Sequence, residues 1–206
     1  MPNYSTLSSP AVLDTVVSNL KERGVKGVVV ENRAEALAKI KELIPAGASV
    51  MNGSSVTLEQ IGFKDYLKSG QHPWNNLHAA IVAETDPAKQ MQLRRQAILS
   101  DYYLGSVHAL AETGEFVVAS NTGSQLPHIV FTSPNLIFVV GAQKIVPTLA
   151  DAMKRLEEYV VPLEDKHMQD LYGKHTVLAK VVTFKRESPM TARNITLILV
   201  KEVLGF

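Results

Sequence analysis

A cluster of small hydroxyl residues lies in Met51–Gly62, MNGSSVTLEQIG, between a strand-like ASVM and a helix-like LEQIG. At such a turn the first helix amides have no partner within the helix, and the helix dipole adds partial positive charge. Gly53 would let a ligand approach the backbone closely, and Ser54, Ser55 and Thr57 could donate hydroxyl hydrogen bonds. The turn therefore predicts a binding site for a phosphate or carboxylate, although one serine could instead simply cap the helix while the others fill the turn.

A second polar region is the segment HALAETGEFVVASNTGSQLPHI, residues 108–129. Glu112 and Glu115 flank a Thr-Gly turn, and a second polar loop contains Asn121, Thr122, Gly123 and Ser124. A carboxylate at a strand end could act as a general base or nucleophile if burial tunes its pKa. Glu112 is the better candidate because it follows the apolar ALA, whereas a surface hairpin with solvated glutamates is the alternative.

Three further side chains could contribute to an anion site. His128 follows Leu-Pro in the polar region and could donate to an anion or move a proton, or could be a half-buried structural group. Lys144 follows the apolar run NLIFVVG at its predicted carboxyl end, where open α/β sheets bind ligands, or it could cap a carbonyl. Arg193 precedes the last predicted strand and could bind a carboxylate with two parallel hydrogen bonds, or form a surface ion pair.

The histidines and the lack of cysteine bear on metal chemistry. The six histidines include no pair four residues apart and no HExxH motif, so we expect no metal site. Because the chain has no cysteine, disulfides, thiolate zinc sites and cysteine-ligated iron–sulfur clusters are excluded within it.

The elements that would position these residues alternate along the chain. Ser9 and Pro10 begin a predicted helix that ends at Gly24, and the strand VKGVVVE follows it. Asn32 caps a second predicted helix, which leads to the strand ASVM. This alternation predicts an α/β fold with a mostly parallel sheet flanked by helices.

The second half of the chain is predicted to add a hairpin, a long helix and two strands. SVHALAE and EFVVAS form the hairpin around Thr113-Gly114, and TLADAMKRLEEYV forms a helix that ends at Pro162. TVLAKVVTF and ITLILVKEVLGF are the last two predicted strands.

Composition limits the class of protein. A length of 206 residues suits one domain, residues 1–206, in which the helix within residues 1–24 packs on the core. The net charge of +1 argues against general nucleic-acid binding. The sequence contains no run of eighteen apolar residues, which a membrane-spanning helix would need, and its amino terminus lacks the pattern of a secretory signal. We therefore expect a cytoplasmic protein.

Four stretches together resemble the LUD domain family of lactate-utilisation proteins. They are GSSVTLEQIG, LRRQAILSDYYLGSVHALAETGEFVVASNTG, LIFVVGAQKIV with its DAMKRL helix, and RNITLILVKEVLGF, which span the chain from about Gly47 to Phe206. The resemblance implies a fold similar to that of the CoA-transferases, ribose-phosphate isomerase and glucosamine-phosphate deaminase. It also implies that a loop following a strand binds an anion, often a phosphate at a Gly/Ser/Thr-rich turn.

The resemblance further implies a role in the oxidation of lactate to pyruvate in bacteria, alongside iron–sulfur partner subunits. Because the chain has no cysteine, we expect no cofactor in it, and any iron–sulfur cluster would lie in a partner subunit. A homo-oligomer is also compatible with the sequence. Two positions depart from the pattern of the relatives. Ala192 precedes Arg193 where relatives often have glycine, and Gln125 stands where they often have arginine.

Three functions remain open on the sequence alone. The first is an anion-binding subunit of a lactate-oxidising or similar organic-acid system. The second is a stand-alone isomerase or acyl/CoA transferase that uses Glu112 as base or nucleophile. The third is a docking domain with no active pocket.

Overall fold

Residues 3–206, which the computed structural model describes, contain ten β-strands and eight α-helices. The strands are β1 (Lys26–Val30), β2 (Ser49–Asn52), β3 (Asn75–Asn76), β4 (Tyr102–Gly105), β5 (Ala109–Ala111), β6 (Phe116–Ser120), β7 (Asn135–Gly141), β8 (Ile145–Val146), β9 (Lys180–Phe184) and β10 (Asn194–Val200). The helices are α1 (Pro10–Glu22), α2 (Arg33–Leu43), α3 (Val56–Gln60), α4 (Phe63–Lys68), α5 (Leu77–Ala83), α6 (Pro87–Gln96), α7 (Leu149–Arg155) and α8 (Val161–Tyr172). Within these residues no helix is both long enough and apolar enough to cross a membrane.

Six strands form a parallel sheet in the order β1-β10-β7-β4-β2-β3, which confirms the predicted fold class. Three neighbouring parallel strands end on the same side of this sheet: Asn52, the last residue of β2, pairs with Leu104, and Gly105, the last residue of β4, pairs with Phe138 of β7, which continues for three more residues. The residues that follow β2, β4 and β7 therefore meet at the edge where open parallel sheets bind ligands.

The other four strands form a smaller sheet in the order β8-β5-β6-β9. The predicted hairpin is present, since β5 and β6 are antiparallel and the amide of Gly114 donates to the carbonyl of Ala111 at 2.8 Å. β8 and β9 join this hairpin from distant parts of the chain. β9 begins at Lys180, so residues 176–179 of the predicted strand TVLAKVVTF are irregular.

β7 is buried on both faces, as its continuous apolar run predicts. Leu136, Phe138 and Val140 belong to one hydrophobic cluster, whereas Ile137 and Val139 belong to another. Because successive side chains of a strand point to opposite faces, the large sheet separates two cores.

Helix α1 begins as the sequence predicts and packs on the core. The Ser9 hydroxyl accepts a hydrogen bond from the amide of Val12, and Pro10 occupies the first turn. Leu13, Val16 and Leu20 are buried in the same cluster as one face of β7. Residues 1 and 2 lie outside the described part of the chain.

The prediction that a helix ends at Pro162 is wrong. Helix α7 continues through a π-helical segment, Leu156–Val160, directly into α8. Proline has no N–H to donate and its ring crowds the carbonyl four residues earlier, so a wider turn just before it lets the helix continue. One long helix therefore runs past the carboxyl edge of the large sheet.

Candidate functional site

A cavity of about 330 Å³ lies at the carboxyl ends of β2, β4 and β7. Residues 53–57 after β2, residues 105–108 around the end of β4, and Lys144 after β7 line it. The loop after β6, one face of the long helix and residues 205–206 complete its walls. Segments that are far apart in the sequence thus line a single cavity.

Lys144 is a buried cation that opens onto this cavity. It is only 3% exposed, and its Nζ donates to Thr57 Oγ1 at 3.1 Å, to Ser106 Oγ at 3.0 Å and to the carbonyl of Val107 at 3.3 Å. Among residues 3–206 no carboxylate forms an ion pair with it. Its hydrogen bonds are therefore satisfied, but its charge is not neutralised.

Burial, with a smaller contribution from the charge of Arg155, lowers the pKa of Lys144 from about 10.5 to about 7. The ammonium and the neutral amine are thus both populated near neutral pH. A bound anion would favour the ammonium, because an opposite charge nearby stabilises the charged form.

His108 lies beside Lys144 on the floor and is neutral. Its Nδ1 accepts a hydrogen bond from the amide of Ala119 at 3.0 Å, which leaves the proton of the neutral ring on Nε2. Burial and the charges of Lys144 and Arg155 lower the pKa of His108 to about 3. The imidazole can therefore donate a hydrogen bond without adding charge.

Arg155 supplies a second buried cation beneath the floor. It is fully buried, donates to the carbonyl of His108, and lies over the rings of Tyr4 and Tyr159 at 5.6 and 5.2 Å. Aromatic faces attract a guanidinium, so these rings stabilise it in place of a carboxylate. The potential at this end of the cavity is consequently positive.

The strand-to-helix turn both caps a helix and faces the cavity. Ser55 is the N-cap of the five-residue helix α3, and its hydroxyl accepts from the amide of Leu58 at 3.2 Å. No described residue accepts a hydrogen bond from the amides of Val56 and Thr57. Ser54 is exposed and lines the cavity.

Two glycines allow the backbone to approach the floor closely. Gly205 has a φ of +64°, and a Cβ there would overlap the Thr57 hydroxyl and lie 3.0 Å from Lys144 Nζ. A Cβ at Gly53 would lie 2.5 Å from the Tyr103 hydroxyl. Real Cβ atoms do not come this close, so both positions require glycine.

The polar loop after β6 contributes most of its predicted residues to the cavity. Asn121, Thr122 and Ser124 line it. Gly123 does not; it has a φ of +84° and packs against the side chain of Lys180. Gln125 also lines the cavity, and it donates to the carbonyl of Ala119.

The long helix supplies a wall of the cavity that was not predicted from the sequence. Its lining residues are Leu156, Val160, Val161, Glu164, His167 and Met168. These residues recur every three to four positions, which places them on one face of the helix. This periodicity in the sequence was the signal from which the wall could have been predicted. Burial raises the pKa of Glu164, the carboxyl group on this face.

The structure does not bring Glu112 to the cavity, so the hypothesis that it acts on a ligand held by Gly53–Thr57 does not fit. β5 separates Glu112 from His108 by roughly 13 Å at strand rise. His108 lies at the cavity end of this strand, whereas Glu112 lies at the other end. There its amide donates to Val146 and its carbonyl accepts from Asn19.

His128 also lies outside the cavity. It is 1% exposed, its ring stacks on Tyr103 at 4.8 Å, and its Nδ1 lies within hydrogen-bonding distance of the hydroxyls of Ser100 and Ser133. The predicted role in anion binding therefore does not fit its position, and its contacts are structural.

Arg193 is likewise placed away from the cavity. It donates to the carbonyls of Ser133, His128 and Ile129 and forms an ion pair with Glu187 at 3.4 Å. The neighbouring Ala192 has a φ of 52°, a backbone conformation that favours glycine. Arg193 thus stabilises the π-helical segment His128–Thr132 and the residue after it.

Within the described part of the chain, no group of three or more histidine, aspartate or glutamate side chains could hold a metal ion. Of the groups near the cavity, His108 is on the floor and Glu164 and His167 are on the helix wall.

Comparison with known proteins identifies the fold and the family. The chain is similar in structure to a DUF162 family protein from Deinococcus radiodurans, with a TM-score of 0.54 and 13% identity over 95% of this chain and 99% of that one. No curated protein matches the sequence. The family model of the LUD domain matches residues 13–205. The chain therefore belongs to the LUD domain family, which is associated with lactate utilisation.

Proposed function

We propose that this protein binds a small organic anion, a carboxylate or a phosphate, in the cavity at the carboxyl edge of the large sheet. The observation that carries the proposal is the buried ammonium of Lys144, which opens onto the cavity and has no ion-pair partner among residues 3–206. A buried charge without a partner is costly, and a bound anion would offset that cost.

The groups around Lys144 suit an anion. The hydroxyls of Thr57 and Ser106 accept hydrogen bonds from the Nζ of Lys144. The Ser106 hydroxyl donates its own proton to the carbonyl of Val139 at 2.7 Å, whereas the contact of the Thr57 hydroxyl with the carbonyl of Leu204 is long, at 3.5 Å, so Thr57 is the hydroxyl that can donate toward the cavity. The neutral His108 can donate through Nε2, and the amide of Thr57 has no acceptor within the described chain. A carboxylate or phosphate offers the several acceptor oxygens that these donors need.

The protein would act as a ligand-binding subunit of a system that oxidises lactate or a similar organic acid. The support is the family together with the cavity. Because these 206 residues contain no cysteine, cysteine-ligated iron–sulfur clusters of such a system would lie in partner subunits.

Calorimetric titration tests the proposal directly. We expect saturable binding of at least one of lactate, pyruvate, inorganic phosphate, a sugar phosphate or a CoA ester. Lys144→Gln should weaken that binding by at least tenfold, because it removes the buried charge. Lys180→Gln is the matched control: it removes one positive charge beside the cavity loop, where Lys180 donates to the carbonyl of Asn121, and should leave the affinity nearly unchanged. Absence of binding by every anion, or equal affinities in wild type and Lys144→Gln, would contradict the proposal.

A second candidate function is proton transfer on the bound acid, as in an isomerase. Glu164 favours it, because a carboxyl group with a raised pKa in a cavity is suited to act as a general acid or base. Loss of a measured turnover in Glu164→Gln, with binding retained, would support this function. An unchanged turnover would remove Glu164 from the mechanism, and Glu112→Gln should have no effect on either quantity.

A further inference from the structure

The cavity has chemically different ends. At the floor, Thr57 and Lys144 are 1% and 3% exposed and supply a hydroxyl and a cation. Toward the mouth, the lining is apolar and progressively more exposed: Leu156 and Val160 are buried, Met168 and Phe206 are half-buried, and Val177 is 62% exposed. A ligand that places its charge on the floor must therefore direct the rest of its structure along an apolar wall.

The wall results from the continuous helix. The π-helical segment contributes Leu156 and Val160, and α8 contributes Val161 and Met168 from the same face. Leu178, from the segment between α8 and β9, adds to this apolar surface. Since water on such a surface gains little from hydrogen bonding, an apolar group that displaces it gains free energy.

The cavity is larger than a three-carbon acid requires. Its volume of about 330 Å³ lies within the range of roughly 300–1,000 Å³ that is typical of pockets for larger organic ligands. Lactate would satisfy the donors on the floor but would leave the apolar wall in contact with water.

Charge at the helix wall restricts the far end of the ligand. Glu164 is the one carboxyl side chain that lines the cavity within the described residues, and it faces the cavity from α8. A second negative group on the ligand would approach this carboxyl, and like charges repel. His167, one turn further along α8, packs edge-on against the ring of Phe206 at 5.8 Å.

We propose that the cavity selects organic acids with one anionic end and an apolar arm longer than the methyl group of lactate. This inference rests on the proposed anion site and names the class of ligand that fills it. The anionic end lies at Thr57 and Lys144, and the apolar arm lies against Val160, Val161 and Met168.

A homologous series measures the contribution of the arm. Titration with lactate, 2-hydroxybutanoate, 2-hydroxypentanoate and 2-hydroxyhexanoate should show affinity that rises by up to roughly fourfold for each added methylene. The dianion 2-hydroxyglutarate should bind more weakly than 2-hydroxypentanoate, which has a chain of equal length. The same titrations with alkyl phosphates of matching chain length identify the preferred anionic group, because the series that binds more tightly carries it.

Met168→Gln tests the wall itself, because glutamine has a similar shape but brings a polar amide. It should reduce the gain in affinity for each added methylene. Met91→Gln is the control, since Met91 is 52% exposed on α6 and does not line the cavity.

The outcomes separate the two proposals. Equal affinity along the series, with binding that still depends on Lys144, would overturn the apolar-arm inference and leave the anion site intact. Failure of every acid and phosphate to bind would overturn both.

Discussion

Lys144 Nζ donates a hydrogen bond to Thr57 Oγ1 at 3.1 Å, and this contact joins the ends of two strands of the large sheet. Thr57 lies in the first turn of α3, which follows β2, and Lys144 follows β7, with β4 between the two strands in the sheet. The hydroxyl-rich turn and the lysine are therefore parts of one site, and its charge comes from the lysine.

The affinity for an anion should depend on pH through Lys144. The pKa of Lys144 in the free protein is about 7, and a bound anion raises it, so binding takes up a proton above neutral pH. Affinity should be nearly constant below pH 7 and should fall above it by up to about tenfold per pH unit. Titrations from pH 6 to 9, with calorimetry at pH 8 in two buffers of different ionisation enthalpy, measure both effects. Lys144→Gln should abolish the proton uptake on binding. Proton uptake that persists in this variant would show that another group titrates.

Arg155 should set the position of that pH dependence. Its positive charge contributes to the lowered pKa of Lys144, so Arg155→Met should raise this pKa and move the loss of affinity to higher pH. Lys154→Met is the control, because Lys154 precedes Arg155 on the same helix but is about half exposed beside Glu158. A midpoint that stays in place or moves to lower pH in Arg155→Met would contradict this account.

Gly205 should be required for the floor of the cavity. Gly205→Ala introduces strain at a φ of +64° and a Cβ that overlaps the Thr57 hydroxyl, so both anion affinity and stability should fall. Gly173→Ala is closely matched, since its φ is +62° but nothing lies within 4 Å of the added Cβ. It should cost only the backbone strain, about 1–2 kcal/mol of unfolding free energy, and leave binding unchanged. Denaturant unfolding and calorimetry distinguish these results; equal effects of the two variants would show that the close approach is unimportant.

His128 should contribute to stability and not to binding. His128→Ala removes the stacking on Tyr103 and leaves the hydroxyls of Ser100 and Ser133 without this partner, which should lower the unfolding free energy by about 1–3 kcal/mol. Burial lowers the pKa of His128 from 6.5 to about 4. As pH falls through this range the unfolded chain binds the proton first, so wild-type stability should decrease. In His128→Ala, the decrease in unfolding free energy that comes from protonation of His128 should be absent. A weaker anion affinity in this variant would show instead that His128 contributes to binding.

Much of the local structure follows from the sequence. The cap at Ser9, the apolar run of β7 and the turn at Gly114 were predictable because dihedral preferences and side-chain periodicity act over a few residues. The π-helical segment before Pro162 was not, since a proline in this position more often ends a helix.

The sequence also placed several site residues at strand ends, because a lysine after a buried strand and hydroxyls before a helix are local patterns. It could not show that Thr57 and Lys144 touch, that Glu112 lies at the far end of β5 from His108, or that α8 supplies the apolar wall. These relationships depend on strand order and helix packing, which are stabilised by contacts between residues far apart in the chain. The sequence by itself therefore determined the fold class and which elements carry polar ends, whereas the tertiary structure alone decided which of those ends share one cavity.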